Sequence, residues 1–503
     1  MPNESKMQTF STSLAAGSQE LAISVICLLS VGFLTWFFVA LMLDEKKTRR
    51  KGPTVFFFAN DRHGNPIRIR SWSDKPTAQA LGSSKVRPTA RHKTFPAVVR
   101  TAADAHVQLL RLSDQETHNT RKLRWLIMAV VLSAAVQKAN SQTANSPSPL
   151  PTPAITGPLQ AAPPIEIEAW PLGKLDVDGI VSGMGLVQSN HVAGDDTGQA
   201  TLSNGQIWVQ KTTGWWQFYV QSGAYNILAL GTPFLPTDKA ITDLYGPVPV
   251  AYLKLVPGKN TSILVGALPT LMGAEYTFDF ENMNIERGLL WNQENAVTRG
   301  VQLNQTMGKF TASFSWNDGY YSNRYSDLSG ALTYAKGPHS LEFVAMGNLG
   351  QTVRQTLATP VQNNGSMYAV IYTYTKGSWI VQPYFQYGSV PTNLAVGVVN
   401  GASTTGGALL LSRTFKHGFS LTGRGEYIGS SGSLAQNSVN LMYGPGSSAF
   451  SITATPTYQH QRFFVRGDIS YVRASSITPG NAFGTTGTNQ NQARGVVEVG
   501  FLF

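Results

Sequence analysis

The chain has 503 residues, only 13% of them charged, with 48 glycines and 18 tyrosines, a profile that excludes an ordinary cytosolic enzyme. Its formal net charge of +11 resembles a nucleic-acid signal until it is divided along the chain: residues 44–125 hold 18 Lys/Arg against 7 Asp/Glu, while 126–503 hold 20 against 19. The main body is close to neutral, so no nucleic-acid partner is expected, and the lone Cys27 allows neither an internal disulfide nor a cysteine metal site.

Residues 21–43 are 23 consecutive uncharged, mostly apolar positions, long enough to cross about 30 Å of hydrocarbon as a helix. Lys46, Lys47, Arg49, Arg50 and Lys51 follow at once, and the positive-inside rule would keep them in the cytoplasm. Taken alone, this is an inner-membrane anchor. Ile26 stands where a lipoprotein signal needs a small residue, so Cys27 reads as a buried helix cysteine. Residues 44–120 of the 1–120 extension are basic, lack the periodicity of a folded domain and read as a solvated tail.

A second targeting signal competes with the first. Arg121, Lys122 and Arg124 precede an apolar stretch from Trp125 to Val136 and then small polar residues, the n-, h- and c-region order of a secretory signal peptide over 121–141. Cleavage fits after Ala135 or after Ser141. An inner-membrane helix and an outer-membrane fold share one polypeptide only if the chain is cut between them or if its first part is never made. We expect the second, with translation starting not far upstream of Arg121; intact mass of the membrane protein checks this, and a mature terminus near Met1 overturns it. Residues 142–172 are rich in Pro, Ala and Ser, which predicts an extended, solvated linker with the fold beginning at 173.

From there apolar and polar residues alternate over segments of about ten positions, the pattern of strands that separate lipid from water. In 419–428, Phe419, Leu421, Gly423, Gly425 and Tyr427 oppose Ser420, Thr422, Arg424 and Glu426; in 463–472, Phe463, Val465, Gly467, Ile469 and Tyr471 oppose Phe464, Arg466, Asp468 and Ser470. Residues 310–317 and 450–459 alternate in the same way, and the polar faces are mainly Ser, Thr, Asn and Gln, where a soluble sandwich would carry Lys and Glu. Aromatic residues end the apolar faces in pairs such as Trp379 with Tyr387 and Phe450 with Tyr458, the spacing of two interfacial girdles against outer-membrane lipid.

Short turns at 212–214, 257–260, 307–309, 336–339, 376–377, 416–418 and 459–461 alternate with long connections, as periplasmic turns alternate with external loops. The reading is an all-β, antiparallel up-and-down transmembrane barrel of sixteen strands over 173–503, near 175–188, 200–211, 214–223, 248–257, 260–269, 297–306, 309–317, 326–335, 340–349, 367–375, 378–388, 405–415, 418–428, 448–459, 461–473 and 492–503. Residues 433–443 stay open as loop or extra strand, and fourteen or eighteen strands remain alternatives. The last strand places Val497, Val499, Phe501 and Phe503 on the lipid face, and the terminal aromatic Phe503 resembles the signal read by the outer-membrane assembly machinery.

The segment GALPTLMGAEYTFDFENMNIERGLLWNQENAVTRGVQL (266–303), with the opening strand LDVDGIVSGMG (175–185), resembles the OmpL-like β-barrel porin family over roughly 170–503. That resemblance implies an outer-membrane porin of a Gram-negative bacterium, without a substrate.

Sixteen strands enclose a water-filled lumen, so passive diffusion of small hydrophilic solutes is the expected function. The long connection 271–296 is the expected constriction loop, with Glu275, Asp279, Glu281, Glu286, Arg287 and Glu294 among its aromatic residues. Inward-pointing Arg424, Arg466 and Arg494 on late strands are placed to face those carboxylates across the pore and create a transverse field; the plainer reading pairs them with Glu426, Asp468 and Glu498. Of the barrel histidines, His339, His417 and His460 fall in short turns and His191 in the first external loop without a nucleophile, so no catalytic residue is expected. An adhesin or structural barrel is the rival class. No cofactor or metal is implied, and a homotrimer is suggested by analogy of size alone.

Overall fold

The computed structural model describes residues 153–503, together with two short strands further upstream. The anchor-like helix at 21–43 and the leader-like segment at 121–141 lie outside the described residues. Within the basic extension, β1 (Phe58–Asn60) and β2 (Pro66–Arg68) pair antiparallel, with Ala59 opposite Ile67, a local ladder that the sequence did not suggest.

The remaining strands are β3 (Ile165–Ala169), β4 (Gly173–Gln188), β5 (Gly198–Lys211), β6 (Trp216–Tyr225), β7 (Val250–Gly258), β8 (Thr261–Pro269), β9 (Val297–Met307), β10 (Phe310–Asn317), β11 (Asp327–Lys336), β12 (His339–Asn348), β13 (Ser366–Lys376), β14 (Trp379–Val390), β15 (Ala402–Thr414), β16 (Phe419–Ser430), β17 (Ser448–His460), β18 (Phe463–Ser475) and β19 (Asn491–Leu502). From β4 to β19 each strand pairs antiparallel with the next, and β19 returns to β4 with Arg494 opposite Gln188 and Leu502 opposite Ile180. The result is a closed barrel of sixteen strands without a free edge. Residues 433–443 belong to an external loop and add no strand.

Alternation sets which side each residue faces. Phe419, Leu421, Tyr427, Phe450, Ile452, Ile469, Val497 and Phe501 point outward, where lipid would cover them, while Thr422, Arg424, Thr455, Arg466 and Glu498 between them point inward and are buried. Tight turns at one rim need left-handed backbone, and Gly377 supplies it at φ 61°, so β13 and β14 reverse with two intervening residues. At the opposite rim the connections are long.

The strand β3 pairs with the projecting start of β4, Ile165 opposite Val177 and Ala169 opposite Gly173, beyond the point where β19 ends. This corrects the expectation of an uninterrupted solvated linker to residue 172. Ala154 and Leu159 are buried, and Ile165 begins a strand. The Pro and Ala content does favour extended backbone, but extended backbone with an apolar residue every few positions also packs into a lumen once one is present.

Candidate functional site in the barrel lumen

The third long connection, 270–296, leaves β8 and folds inward before β9 begins. It lacks long regular structure: two single turns of 3-10 helix, Asp279–Glu281 and Trp291–Gln293, interrupt an otherwise irregular path. Its backbone polar groups, which strands would have paired, are met by side chains. Glu281 closes the first turn by accepting the Phe278 amide at 3.1 Å, and Asn282 donates to the carbonyls of Tyr276 and Phe278. Aromatic packing stiffens the same turn, with Phe280 stacked on Trp208 of β5 at 5.6 Å between centroids and Phe278 edge-on to Tyr225 of β6 at 5.3 Å.

All six charged residues expected on this loop are buried, none more than 7% exposed. Glu275 and Glu286 meet arginines of the late strands directly. Arg424 Nη1 lies 2.6 Å from Glu275 Oε1 and also donates to the Glu286 carbonyl at 2.7 Å. Arg494 Nη1 lies 3.2 Å from Glu286 Oε1, and Ser470 donates to the other oxygen of that carboxylate at 2.7 Å. Arg466 donates to the main-chain carbonyls of Asp279 and Asn282, at 3.1 and 3.3 Å, and lies 3.8 Å from Glu498. Asp468 accepts the Glu286 amide at 2.8 Å, and Glu426 lies 3.5 Å from Arg424 Nε while accepting the Leu290 amide at 3.3 Å.

The arrangement corrects the expectation of arginines facing loop carboxylates across an open gap. Opposite charges close on each other because pairing and hydrogen bonding offset the cost of desolvating both, whereas holding them apart in a narrow lumen would leave both uncompensated. The plainer pairing coexists with it, since Glu426 and Glu498 share the same two arginines with the loop.

The loop has further polar anchors on β14, β5 and β17. Glu294 accepts hydrogen bonds from Tyr384 Oη and from Gln386 Nε2, the latter at 2.6 Å, both on β14. Asp279 accepts from Asn204 of β5 at 2.6 Å, and Asn284 donates to Thr455 of β17 at 2.6 Å. Asn204, Asn284, Tyr384 and Gln386 were not singled out in the sequence; neutral amides and a phenol on a polar face carry no mark that separates them from their neighbours. Between these anchors Leu271, Met272, Leu289 and Leu290 belong to one buried apolar cluster with Val344, Met346, Met367 and Ile371 on the inner faces of β12 and β13 and with Ile428, Ala449 and Val472 on later strands.

Arg287 differs from the other charges. It is fully buried, its guanidinium carbon lies 5.2 Å from the Trp291 ring centre, and none of its three side-chain nitrogens has a hydrogen-bond partner among the described residues. Asp279, Glu275 and Glu281 act on it through space. Among the described residues no cluster of His, Cys, Asp or Glu is arranged to hold a metal ion.

A closed barrel of sixteen strands, apolar outside and polar or charged within, whose third long loop folds into the lumen, defines an outer-membrane porin. The family model described as "Putative beta-barrel porin-2, OmpL-like" matches residues 174–503, and the chain belongs to that family. No curated protein matches the chain. Among solved structures to which the chain is similar, an anion-selective porin from Comamonas acidovorans is 13% identical with a TM-score of 0.48, over 65% of this chain and 99% of that one. The outer-membrane channel DcaP of Acinetobacter baumannii is 11% identical with a TM-score of 0.44, over 65% and 97%. Salmonella typhi OmpF, solved with daunomycin, is 12% identical with a TM-score of 0.43, over 67% and 100%.

Proposed function

We propose that small hydrophilic solutes pass by diffusion through the lumen and that the loop 270–296 sets how wide and how charged their path is. The observation that supports this most is the strand number. Eight strands leave an interior that side chains fill, whereas sixteen enclose a space that only an inserted loop narrows. Within that loop Glu275, Glu286 and Asp279 are engaged by the wall, and Arg287 is the charge without a hydrogen-bonded partner among the described residues, so it is our choice for the selectivity-determining residue.

The experiment is planar-bilayer recording under a salt gradient on the purified chain and on Arg287→Gln. Stepwise openings whose reversal potential moves toward cation preference in the variant support the reading. An unchanged reversal potential removes Arg287 from it. A folded, heat-modifiable barrel without conductance favours the second reading, an adhesin or structural barrel, for which the near-complete burial of the loop speaks.

The finer expectations belong here too. Export through the 121–141 segment, absence of 1–120 from the mature protein, delivery by the assembly machinery through Phe503, a homotrimer and the absence of enzymatic activity are all part of this proposal. Phe503 pairs by main-chain bonds with Gly179 at 2.8 and 2.9 Å, which fits a terminal residue inserted last at the closing seam.

A further inference from the structure

The eight residues before the exposed stretch 161–164 enter the barrel instead of lying outside it. Gln160 sits at the periplasmic rim, where its amide donates to Gln459 Oε1 at 2.8 Å and its carbonyl accepts from Gln459 Nε2 at 2.9 Å, a reciprocal pair at the end of β17. Leu159 is 1% exposed in the apolar cluster that holds Phe278 and Phe280 of the loop and Phe464 and Leu502 of the wall. Deeper in, the Thr156 amide donates to the Glu281 carbonyl at 3.2 Å, its hydroxyl to the same oxygen at 3.1 Å, and the Ala154 amide to the Glu281 carboxylate at 3.0 Å. Gly157 lies against the loop backbone so closely that a Cβ would meet the Asn282 carbonyl oxygen at 2.4 Å.

We propose that residues 153–160 are a plug built from the chain's own N-terminal side, which fills the periplasmic part of the lumen, clamps the loop at Glu281 and keeps the channel narrow until it withdraws. The inference rests on the reading of the barrel as a channel. Its chemistry suits a removable part. Pro153 and Pro158 lack amide hydrogens, which disfavours joining the sheet, and among the described residues the Ala154 and Thr156 amides are what tie its backbone to the loop. Withdrawal would therefore break no strand pairing. It would expose Leu159 and leave the Glu281 carboxylate with the Phe278 amide alone, while Asn204, Arg466 and the aromatic stack on Trp208 still anchor the rest of the turn to the wall.

The test uses the full chain in a Cys27→Ser background with Ala154→Cys as a reporter, with and without Gly157→Val, which the 2.4 Å approach cannot accommodate. Resistance to heat in detergent gels establishes that each barrel is folded. We expect the reporter thiol to be unreactive toward a bulky membrane-impermeant maleimide when Gly157 is kept, to react in the valine variant, and single-channel conductance to rise several-fold with it. Leu159→Ser, which removes only an apolar contact, is expected to move both readouts in the same direction to a smaller extent. Equal labelling with and without valine overturns the seated plug. Labelling that rises while the conductance of an already conducting barrel stays unchanged overturns its role in closure and leaves the channel standing. Release without conductance in either folded protein overturns both.

Discussion

Two regions of the inner wall face the same loop with opposite chemistry. On β16 to β19 the lumenal side carries Arg424, Glu426, Arg466, Asp468, Arg494 and Glu498, and the loop meets it with Glu275, Glu286 and main-chain groups. On β11 to β13 the lumenal side carries Ala331, Val344, Met346, Met367, Ala369 and Ile371, which share one buried apolar cluster with Leu271, Met272, Leu289 and Leu290 of the loop, a cluster that runs on to Ile428, Ala449 and Val472 of the late strands. A lumen need not be polar throughout. Where a loop covers the wall permanently, the covered positions follow the rules of a protein core; where charge must be fixed in place, they become an ion-pair network.

The comparison breaks most readily at Arg424. Replacement by Ala leaves Glu275 and Glu426 buried without their cation, and removing one partner of a buried pair costs about 3–5 kcal/mol. Amide exchange over 275–290 should accelerate strongly while the strands stay protected; an unchanged loop would mean that the charged wall does not hold it. Within the apolar cluster, Leu290→Ala opens a cavity in a fully buried site, with an expected loss of about 2–4 kcal/mol in the same exchange measurement. Equal losses at the two positions would make ion pairing and packing comparable anchors. Glu294→Gln keeps an oxygen that can accept from Tyr384 and Gln386, so we expect a change below about 1 kcal/mol. A large shift in reversal potential there would transfer selectivity from Arg287 to Glu294.

The smallest effect is expected outside the lumen. Asp195 joins the first two external loops by accepting the Phe234 amide at 3.0 Å and the Gln188 side chain at 2.9 Å. Burial alone would raise its carboxyl, but these hydrogen bonds outweigh it and hold the group below the ordinary 3.8. A lowered pKa means that the contact contributes in full above 3.8 and is lost as pH falls through the folded group's lower pKa. Asp195→Ala should make the loop at 226–249 more sensitive to protease at neutral pH without altering the barrel; acidification through the lowered pKa of Asp195 should do the same to the parent protein.

The two walls also differ in how far they could be read in advance. Strict alternation with charged and hydroxyl residues on one face made β16, β17 and β18 plain, and the lumenal arginines could be named from it. Val344, Met346, Met367 and Ile371 interrupt that alternation, because a residue buried under a loop and one facing lipid are apolar alike. Strand positions were still legible from turn residues such as Gly377, and the loop from its charge content. Which carboxylate meets which arginine depends on where an irregular 27-residue path folds, something no local pattern encodes. The seat of Ala154 to Gln160 was equally hidden: one leucine among prolines looks the same in a solvated linker as in a lumen.

The seam between β4 and β19 has a consequence for the order in which this protein can acquire its structure. Gln188 and Arg494 are partners across some three hundred positions of chain, so the ring is completed by the contact with the greatest separation along the sequence. Such contacts form slowly, since the chain between them must already be organised before they gain anything. Until β19 arrives, β4 presents unpaired amides and carbonyls over the whole span that later faces Arg494 to Leu502, an edge that hydrocarbon cannot solvate. A nascent chain lacking its last twelve strand residues should therefore remain with a chaperone or be degraded, however well the preceding fifteen strands are paired.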